Sequence, residues 1–188
     1  MLTEPVVEGN RRILMHPIRY DLIVIGSGPA GQKGAIAASK LGKRVAIVDR
    51  NDMVGGVCIH GGTVPSKTLR EAILHLTGFR HRSFYGSDYV VKDRISIRDL
   101  AARVTQVVER ETGVVRDQLR RNGIDLLCGS AQFVDANTLE VQGPTESHLL
   151  QSDHILIACG TRPSHPGDIP FDGKKIIASD QFFVMDEI

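Results

Sequence analysis

Apolar runs and amphipathic stretches alternate along the first quarter of the chain. Asp21–Ile25 is short, apolar and rich in β-branched residues, and it stops at a glycine-rich turn, which is typical of a buried strand. Pro29–Leu41 has an apolar face at helical spacing, with proline at the first helical position and Gly42 in the place of a left-handed cap. A second apolar run, Arg44–Asp49, follows. Strand, helix and strand in this order predict two parallel strands joined by a right-handed crossover.

Two further amphipathic stretches predict helices in the middle of the chain. The first lies within Pro65–Gly78. The second is long, spans 96–123, and opens on a capping-box pattern formed by Ser96 and Asp99. Residues 80–93 between them are basic and polar, so we expect a surface connection there.

Four short strand-like pieces, separated by turn residues, follow the long helix. The last of them is apolar throughout, and we expect it to be fully buried. The pattern as a whole predicts an α/β fold that combines a parallel sheet, crossover helices and a small antiparallel β-meander. The four pieces lie around Leu126, Phe133, Leu139–Val141 and Ile155–Ala158.

Charge and composition argue against several classes of function. The 188 residues include 23 Lys and Arg against 22 Asp and Glu, and a net charge of +1 gives no reason to expect nucleic acid as a partner. No apolar run approaches the roughly 20 residues that cross a bilayer, so we expect no membrane partner. Residues 1–18 lack a sustained pattern and are expected to form a flexible extension before a domain at 19–188.

Cysteine and histidine spacing argues against metal and disulfide chemistry. Cys58, Cys128 and Cys159 are odd in number and far apart, so they form neither a disulfide framework nor a paired-cysteine zinc site. The seven histidines show no i, i+4 pairing, and we expect no metal. Cys128 and Cys159 lie in apolar strand contexts, where a free cysteine acts as a small hydrophobic residue. These observations favour a reducing, cytoplasmic setting.

The turn after the first strand, Gly26–Gly31, matches the pattern G-x-G-x-x-G. Between a strand and a helix, the first glycine permits the tight turn, the second lets a pyrophosphate approach the backbone, and the third allows close helix packing. The N-terminus of the helix then faces the phosphates. Asp49, at the end of the second strand, is placed to accept hydrogen bonds from a ribose diol. A plain structural corner is the alternative, and the pattern by itself leaves FAD and NAD open.

Two further motifs resemble those of the pyridine nucleotide-disulphide oxidoreductases. The segment 55–67, GGVCIHGGTVPSK, resembles the signature in which two cysteines five positions apart lie beside the flavin. The segment 157–163, IACGTRP, is similar to the family's second FAD-contact motif. Because these enzymes depend on FAD, the resemblance implies FAD as the cofactor of a Rossmann-like FAD-binding domain.

One position departs from the family signature. Cys58 stands at the first redox position, but Thr63 stands where the second cysteine belongs. Thiol-disulfide exchange needs two sulfurs in bonding geometry, so reductases that relay electrons through a dithiol are disfavoured. A single cysteine before G-T-x-P-S-K is similar to the soluble pyridine nucleotide transhydrogenases, the branch of the family that lacks the dithiol.

That resemblance implies hydride transfer from NADPH to NAD through FAD. Lys67 matches the family lysine near the flavin, where a cation would stabilise negative charge on the reduced ring; it is the expected catalytic residue, and a surface lysine is the alternative. Cys58 is expected beside the flavin, and Thr63 either bonds the flavin or fills the space of a sulfur. The expected FAD-contacting residues are Gly26, Gly28, Pro29, Ala30, Gly31, Asp49, Arg50, Gly55, Gly56, Cys58, Thr63, Lys67, Ala131, Ala158, Cys159 and Gly160.

The complete enzymes of the family contain parts that this sequence does not match. It has a single G-x-G-x-x-G, and neither a second dinucleotide unit for NAD(P) nor a dimerisation domain is recognised. The resemblance therefore implies the N-terminal portion of a homodimeric protein whose substrates are NADP(H) and NAD(H). Two alternatives stay open: a flavin-dependent NAD(P)H oxidase or quinone reductase of the same family, and a noncatalytic FAD-binding module.

Overall fold

The computed structural model describes residues 6–8, 11–50, 53–179 and 181. By contact the chain divides into two compact units, the first from residues 1–56 and 113–160 and the second from 57–112 and 161–188. No helix within the described ranges is long and apolar enough to cross a membrane. In chain order the strands and helices are β1 (Val6–Glu8), β2 (Arg11–Arg19), β3 (Leu22–Ile25), α1 (Pro29–Lys40), β4 (Val45–Asp49), α2 (Val57–His60), α3 (Thr63–Leu76), α4 (Arg82–Tyr85), α5 (Ile97–Arg121), β5 (Asp125–Cys128), β6 (Ser130–Phe133), β7 (Thr138–Gln142), β8 (Glu146–Gln151) and β9 (Ile155–Ile157).

The first unit contains a four-stranded sheet in the order β5-β4-β3-β9, in which every pair is parallel. The two central strands, β3 and β4, are continuous apolar runs because both of their faces are covered; Ile23, Val24 and Ile47 are fully buried. Between them, α1 begins at the predicted proline, and Gly42 just beyond its end is left-handed, with φ of 76°. The predicted strand-helix-strand unit is confirmed.

The strand β9 differs from its prediction. It lies at the edge of the parallel sheet with β3 as its neighbour, and Leu156 and Ile157 are 36% and 62% exposed. Cys159, just after it, is exposed as well, and Cys128 at the end of β5 is only half-buried. The prediction of a fully buried strand was therefore wrong, because an apolar run reveals a strand but not its place in the sheet.

A second sheet, also in the first unit, has the order β1-β2-β8-β7-β6. β6, β7 and β8 pair antiparallel in succession, which confirms the predicted meander. The sequence pattern predicts no strand at β8, since its polar residues interrupt the alternation, yet Ser147 and Leu150 are buried there. Leu150 joins Leu139, Ile23 and Val48 in one hydrophobic cluster that contains residues of both sheets.

Where it is described, the predicted N-terminal extension contains strands. β2 pairs in parallel with β8, with a register shift between Leu14 and Ile18, and β1 pairs antiparallel with β2. Residues 1–5 and 9–10 lie outside the described residues. The pairing partner of β2 stands far along the chain, and such a long-range ladder leaves no local pattern in the sequence.

Tyr20 holds the start of β3 against β5. Its hydroxyl donates to Asp125 Oδ2 at 2.9 Å, and the Arg44 guanidinium lies 4.7 Å from the centre of its ring. Burial, together with the hydrogen bond to Asp125, raises the pKa of Tyr20 to about 12, so the hydroxyl remains a neutral donor at physiological pH.

The second unit contains α2, α3, α4 and the first turns of α5. The predicted helix that closes near Gly78 is confirmed: α3 ends at Leu76, and Gly78 is left-handed, with φ of 69°. The connection at 80–93 is on the surface, as predicted, although it includes α4 and a short 3₁₀ turn before it. Phe84 and Tyr85 are 84% and 70% exposed.

The predicted capping box at the start of α5 is confirmed. Ser96 N and Oγ donate to Asp99 Oδ2 at 2.9 and 2.8 Å, and Lys92 Nζ lies 2.6 Å from Asp99 Oδ1. The Lys92 ammonium, and after it the Ser96 backbone N–H, hold the pKa of Asp99 well below its usual range. The carboxylate therefore stabilises the folded state while it is ionised.

Asp99→Asn is expected to change how stability depends on pH. A lowered pKa in the folded state contributes stability above the unfolded value of about 3.9, and this stability is lost as the pH falls below it. The variant should therefore have a lower urea midpoint than the native chain at pH 7, and the difference should shrink as the pH falls from about 5 to 3. Asp93→Asn, at an exposed acid beside Lys92, is the matched control. A difference that stays constant with pH would contradict the assignment.

Candidate functional site

The glycine-rich turn lies in the first unit, between β3 and α1. Gly26 is left-handed, with φ of 104°, and a Cβ atom there would clash with the carbonyl oxygen of Ala158. A Cβ atom at Gly31 would clash with the carbonyl oxygen of Gly26. The protein's own backbone therefore requires glycine at these two positions, which agrees with the tight turn and close helix packing expected of them.

Gly28 is different from the other two glycines of the motif. Its φ of −65° and ψ of 178° are open to any residue. The nearest atom to a Cβ placed there is Gly56 Cα at 4.0 Å, an ordinary contact distance. Neither conformation nor packing explains glycine at this position, whereas a ligand that approaches the backbone does. The position fits the predicted pyrophosphate contact.

The N-terminus of α1 starts directly beyond this open position. Pro29 and Ala30 are exposed, and Pro29 is the first helical residue. The first turn of a helix presents backbone N–H groups and the positive end of the helix dipole, and both favour an anion. The residues expected to hold a phosphate are thus adjacent, at the start of α1, and Gly28 has no side chain that would cover the backbone there.

Asp49 projects from the end of β4 to the same turn. Its Oδ2 accepts hydrogen bonds from Ser27 N at 2.6 Å and Ser27 Oγ at 2.5 Å, and its Oδ1 accepts from Arg50 N at 2.7 Å. Asp49 therefore stabilises the glycine-rich turn through Ser27, in addition to its expected role as a ribose ligand. A carboxylate oxygen can accept two hydrogen bonds, so Oδ1 retains capacity for a ribose hydroxyl.

Sequence reasoning did not single out Ser27. It is fully buried, and its Oγ accepts a hydrogen bond from Gly55 N at 3.0 Å in addition to donating to Asp49. Two features of the sequence could have identified it. Ser27 carries a hydroxyl inside the glycine motif, and Asp49, an acceptor for that hydroxyl, ends the next predicted strand. Ser27 joins three segments that the sequence keeps apart.

The glycines at 55 and 56 approach the turn from the following loop. Both are left-handed, with φ of 97° and 71°, and a Cβ at Gly56 would come within 2.8 Å of Gly28 Cα. Ala158 lies against the same turn: its N donates to the carbonyl of Ile25 at 2.8 Å, and its own carbonyl oxygen is the nearest atom to a Cβ placed at Gly26. The first unit thus brings together parts of three motifs that are distant in the sequence.

Several expected FAD contacts lie elsewhere in the first unit. Ala131 is on β6 and packs against the hydrophobic core cluster. Gly160 is left-handed, with φ of 70° and open space around it, and follows the exposed Cys159. Arg50 is exposed. The role of these residues as cofactor contacts stays a prediction.

The second unit holds the residues of the redox signature. Cys58 is half-buried in α2, Thr63 is the exposed first residue of α3, and Lys67 is one helical turn further on the same face. The two helices are separated by a glycine pair, and a Cβ at Gly62 would come within 2.9 Å of the Val57 carbonyl oxygen. Glycine is therefore needed for the tight corner before Thr63.

Lys67 also borders a cleft of about 860 Å³ within the second unit. Two ion pairs lie along it: Arg80 with Glu71 at 2.8 Å and Lys92 with Asp99 at 2.6 Å. The remaining wall is contributed by α3, α5 and the 3₁₀ turn before α4, and it mixes apolar with basic residues. It is formed by Thr68, Ala72, Leu74, His75, Leu76, His81, Arg103 and Val107.

Thr63→Cys is expected to restore a disulfide with Cys58. The two positions bracket the tight corner between α2 and α3, where the family signature places its two sulfurs. After mild oxidation, thiol titration of the variant should find two fewer free thiols than after reduction. The double variant Cys58→Ser/Thr63→Cys should show no such loss. A single variant that keeps both accessible thiols under oxidation would argue against the alignment.

The chain was compared with known protein families and curated proteins. A family model described as pyridine nucleotide-disulphide oxidoreductase matches residues 20–187. The soluble pyridine nucleotide transhydrogenase of Mycobacterium bovis BCG / Pasteur 1173P2 is 53% identical over 163 residues, which cover 86% of this chain and 35% of that protein. That of Escherichia coli O9:H4 is 39% identical over 171 residues, 90% of this chain and 36% of that protein. This chain spans about a third of the length of these relatives.

Solved structures give a consistent picture of the fold. The Cu(II) complex of the HOCl-induced flavoprotein disulfide reductase RclA from Escherichia coli matches with a TM-score of 0.64 and 27% identity. The match covers 80% of this chain and 30% of that one. A second structure of the same reductase matches with a TM-score of 0.63. The α/β fold predicted from the sequence is confirmed.

Proposed function

The chain belongs to the pyridine nucleotide-disulphide oxidoreductase family, and on this basis we propose that it is the FAD-binding portion of a soluble pyridine nucleotide transhydrogenase. The reaction is NADPH + NAD⁺ → NADP⁺ + NADH, a hydride transfer that balances without another reductant. The identity of 53% to a relative of that name supports the proposal. Since this chain spans about a third of that relative, the activity belongs to the complete protein.

The observation that carries the proposal is the threonine at position 63. The similar solved structures are named disulfide reductases, and reduction of a disulfide through a protein dithiol requires two sulfurs in bonding geometry. Here Cys58 is a free thiol and Thr63 replaces its partner. A family member without the dithiol retains the exchange of hydride between nicotinamides.

The residues of the first unit fit the dinucleotide part of FAD. The open space beside Gly28 and the first turn of α1 would receive the pyrophosphate, because no side chain covers the backbone there. Asp49 Oδ1 would accept a hydrogen bond from a ribose hydroxyl. Bound flavin supplies a ring that takes up and gives back a hydride. Lys67, as a cation, would stabilise negative charge on that ring, and Gly55 and Gly56 would let the backbone approach the phosphates and the ribityl chain of FAD.

Setting and partners follow from the same proposal. Cys58 and Cys159 are free thiols, which supports a reducing, cytoplasmic location. NADP(H) and NAD(H) are the proposed substrates of the complete protein, and a homodimer is its proposed state. No group of three or more His, Cys, Asp or Glu side chains suited to a metal occurs among the described residues.

Flavin retention is the first test of this proposal. The purified 188-residue chain is incubated with FAD and filtered, and the visible absorption spectrum of the retained material is recorded. Protein-perturbed flavin absorbance is expected, and a colourless filtered chain would contradict FAD binding by this portion. Acceptor choice is then measured in the native gene product with NADPH and a thionicotinamide analogue of NAD. Preference for a quinone or oxygen would indicate a reductase or oxidase of the same family instead.

A further inference from the structure

The hydrogen bonds of Ser27 suggest a role beyond filling a motif position. Ser27 is fully buried, and each of its polar groups has a partner. Its N–H and O–H both donate to Asp49 Oδ2, its Oγ accepts from Gly55 N, and its carbonyl accepts from Gln32 Nε2 at 2.7 Å. The hydroxyl of Ser27 therefore connects the end of β4 to the loop that carries Gly55, and its backbone carbonyl connects the turn to α1.

We propose that Ser27 is a positioning residue for the FAD site, which orients the Asp49 carboxylate and holds the loop at Gly55–Gly56 against the phosphate turn. This inference deepens the proposed function and rests on it. Two bonds from Ser27 saturate Oδ2 of Asp49, so the carboxylate cannot rotate without breaking both. Oδ1 is left as the oxygen for a ribose hydroxyl.

The same serine sets the separation between the two glycine loops. Gly55 N donates to Ser27 Oγ at 3.0 Å, and the adjacent Gly56 lies where even a Cβ would come within 2.8 Å of Gly28 Cα. Gly28 is the position left open for the pyrophosphate. Loss of the hydroxyl would release the loop at Gly55 and leave its N–H without the buried acceptor. Ser27 thus acts on the cofactor through Asp49 and through this loop.

Ser27→Ala is expected to weaken FAD binding about tenfold, the size expected for a lost hydrogen bond to a charged group. FAD affinity is measured by fluorescence for the native chain, Ser27→Ala, Asp49→Asn and the double variant. Because part of the effect runs through Asp49 and part through the loop at Gly55, the serine substitution should cost less in the Asp49→Asn background, about threefold. A cost that is equal in both backgrounds, or no cost in the native background, would overturn the proposal.

Ser152→Ala provides the matched control. Ser152 is also buried in the first unit, and its Oγ donates to the His154 carbonyl at 2.9 Å and accepts from His154 N at 3.2 Å. The substitution removes a hydroxyl with a donor and an acceptor bond away from the glycine turn. FAD affinity should stay within about twofold of the native value. A comparable loss would show a general effect of buried serines and would overturn the specific role of Ser27.

Amide exchange tests the positioning role without the cofactor. In the native chain the N–H groups of Ser27 and Gly55 should be protected from exchange, and in Ser27→Ala the Gly55 N–H should lose its protection while β3 keeps its own. Unchanged protection at Gly55 would overturn the inference even if FAD binds. If the native chain binds no FAD, the proposed function of this portion fails, and the exchange result decides separately whether Ser27 connects the loops.

Discussion

Gly31→Ala is expected to remove a large part of the stability of the first unit. The added Cβ would clash with the carbonyl oxygen of Gly26 and press on Val24 Cγ1 at 3.1 Å. Neither neighbour can rotate away, because the carbonyl belongs to the backbone of the turn and Val24 is fully buried in β3. We expect a loss of about 3 kcal/mol, a major share of the roughly 5–15 kcal/mol that stabilises a typical domain.

The measurement is the free energy of unfolding in urea, followed by circular dichroism. Gly113→Ala is the matched control, since it adds the same methyl group within α5, where no atom beyond the neighbouring backbone of the helix lies within 4 Å of the new Cβ. Replacing a helical glycine by alanine should raise stability by about 1 kcal/mol. If Gly31→Ala and Gly113→Ala had the same unfolding free energy, the close packing of α1 on the turn would be disproved.

Gly28→Val is expected to abolish FAD retention while the fold persists. The backbone of Gly28 is in a conformation that valine adopts freely, and its nearest neighbour stands at an ordinary contact distance. The added side chain would instead occupy the space in front of the first turn of α1, and the pyrophosphate would lose its backbone N–H contacts. Two charge-assisted hydrogen bonds correspond to about 3 kcal/mol, or roughly a hundredfold in affinity.

Two measurements separate this effect from misfolding. Filtration with FAD reports retention of the flavin, and urea unfolding of the FAD-free variant should give a midpoint close to that of the native chain. Gly28→Ala, with a smaller side chain at the same place, should show an intermediate affinity. FAD retention by Gly28→Val at the native level would place the phosphate elsewhere. Loss of both retention and stability would mean that Gly28, like Gly31, is required by the fold.

Gly28 and Gly31 are three positions apart in one motif, and the sequence does not distinguish a folding role from a binding role for either of them. Their surroundings in the structure differ: a Cβ at Gly31 would clash with the carbonyl oxygen of Gly26, whereas a Cβ at Gly28 would meet only Gly56 Cα, at an ordinary contact distance. The motif as a pattern predicts a dinucleotide site, whereas the surroundings of each glycine decide whether it serves folding or binding.

Asp49 shows the same division. Its place at the end of an apolar run predicts an acid beside the glycine-rich turn, and the structure places it there. The two bonds from Ser27 to a single carboxylate oxygen depend on how β3, the turn and β4 meet. No local sequence pattern predicts that Ser27 and Asp49, 22 residues apart, come into contact, so the sequence did not indicate a role for Ser27.

The amino-acid sequence was sufficient to predict the strand-helix-strand unit, the long capped helix and two of the three strands of the β-meander, and it shows a threonine in place of the second redox cysteine. Each of these depends on neighbouring residues, through periodicity, capping or identity at a single position. The folded structure was needed to show that β9 lies at a sheet edge, that β2 pairs with β8, and that Ser27 joins Asp49 to Gly55. These features depend on contacts between segments far apart in the chain, and the free energy of such contacts is set by packing and backbone pairing rather than by local composition.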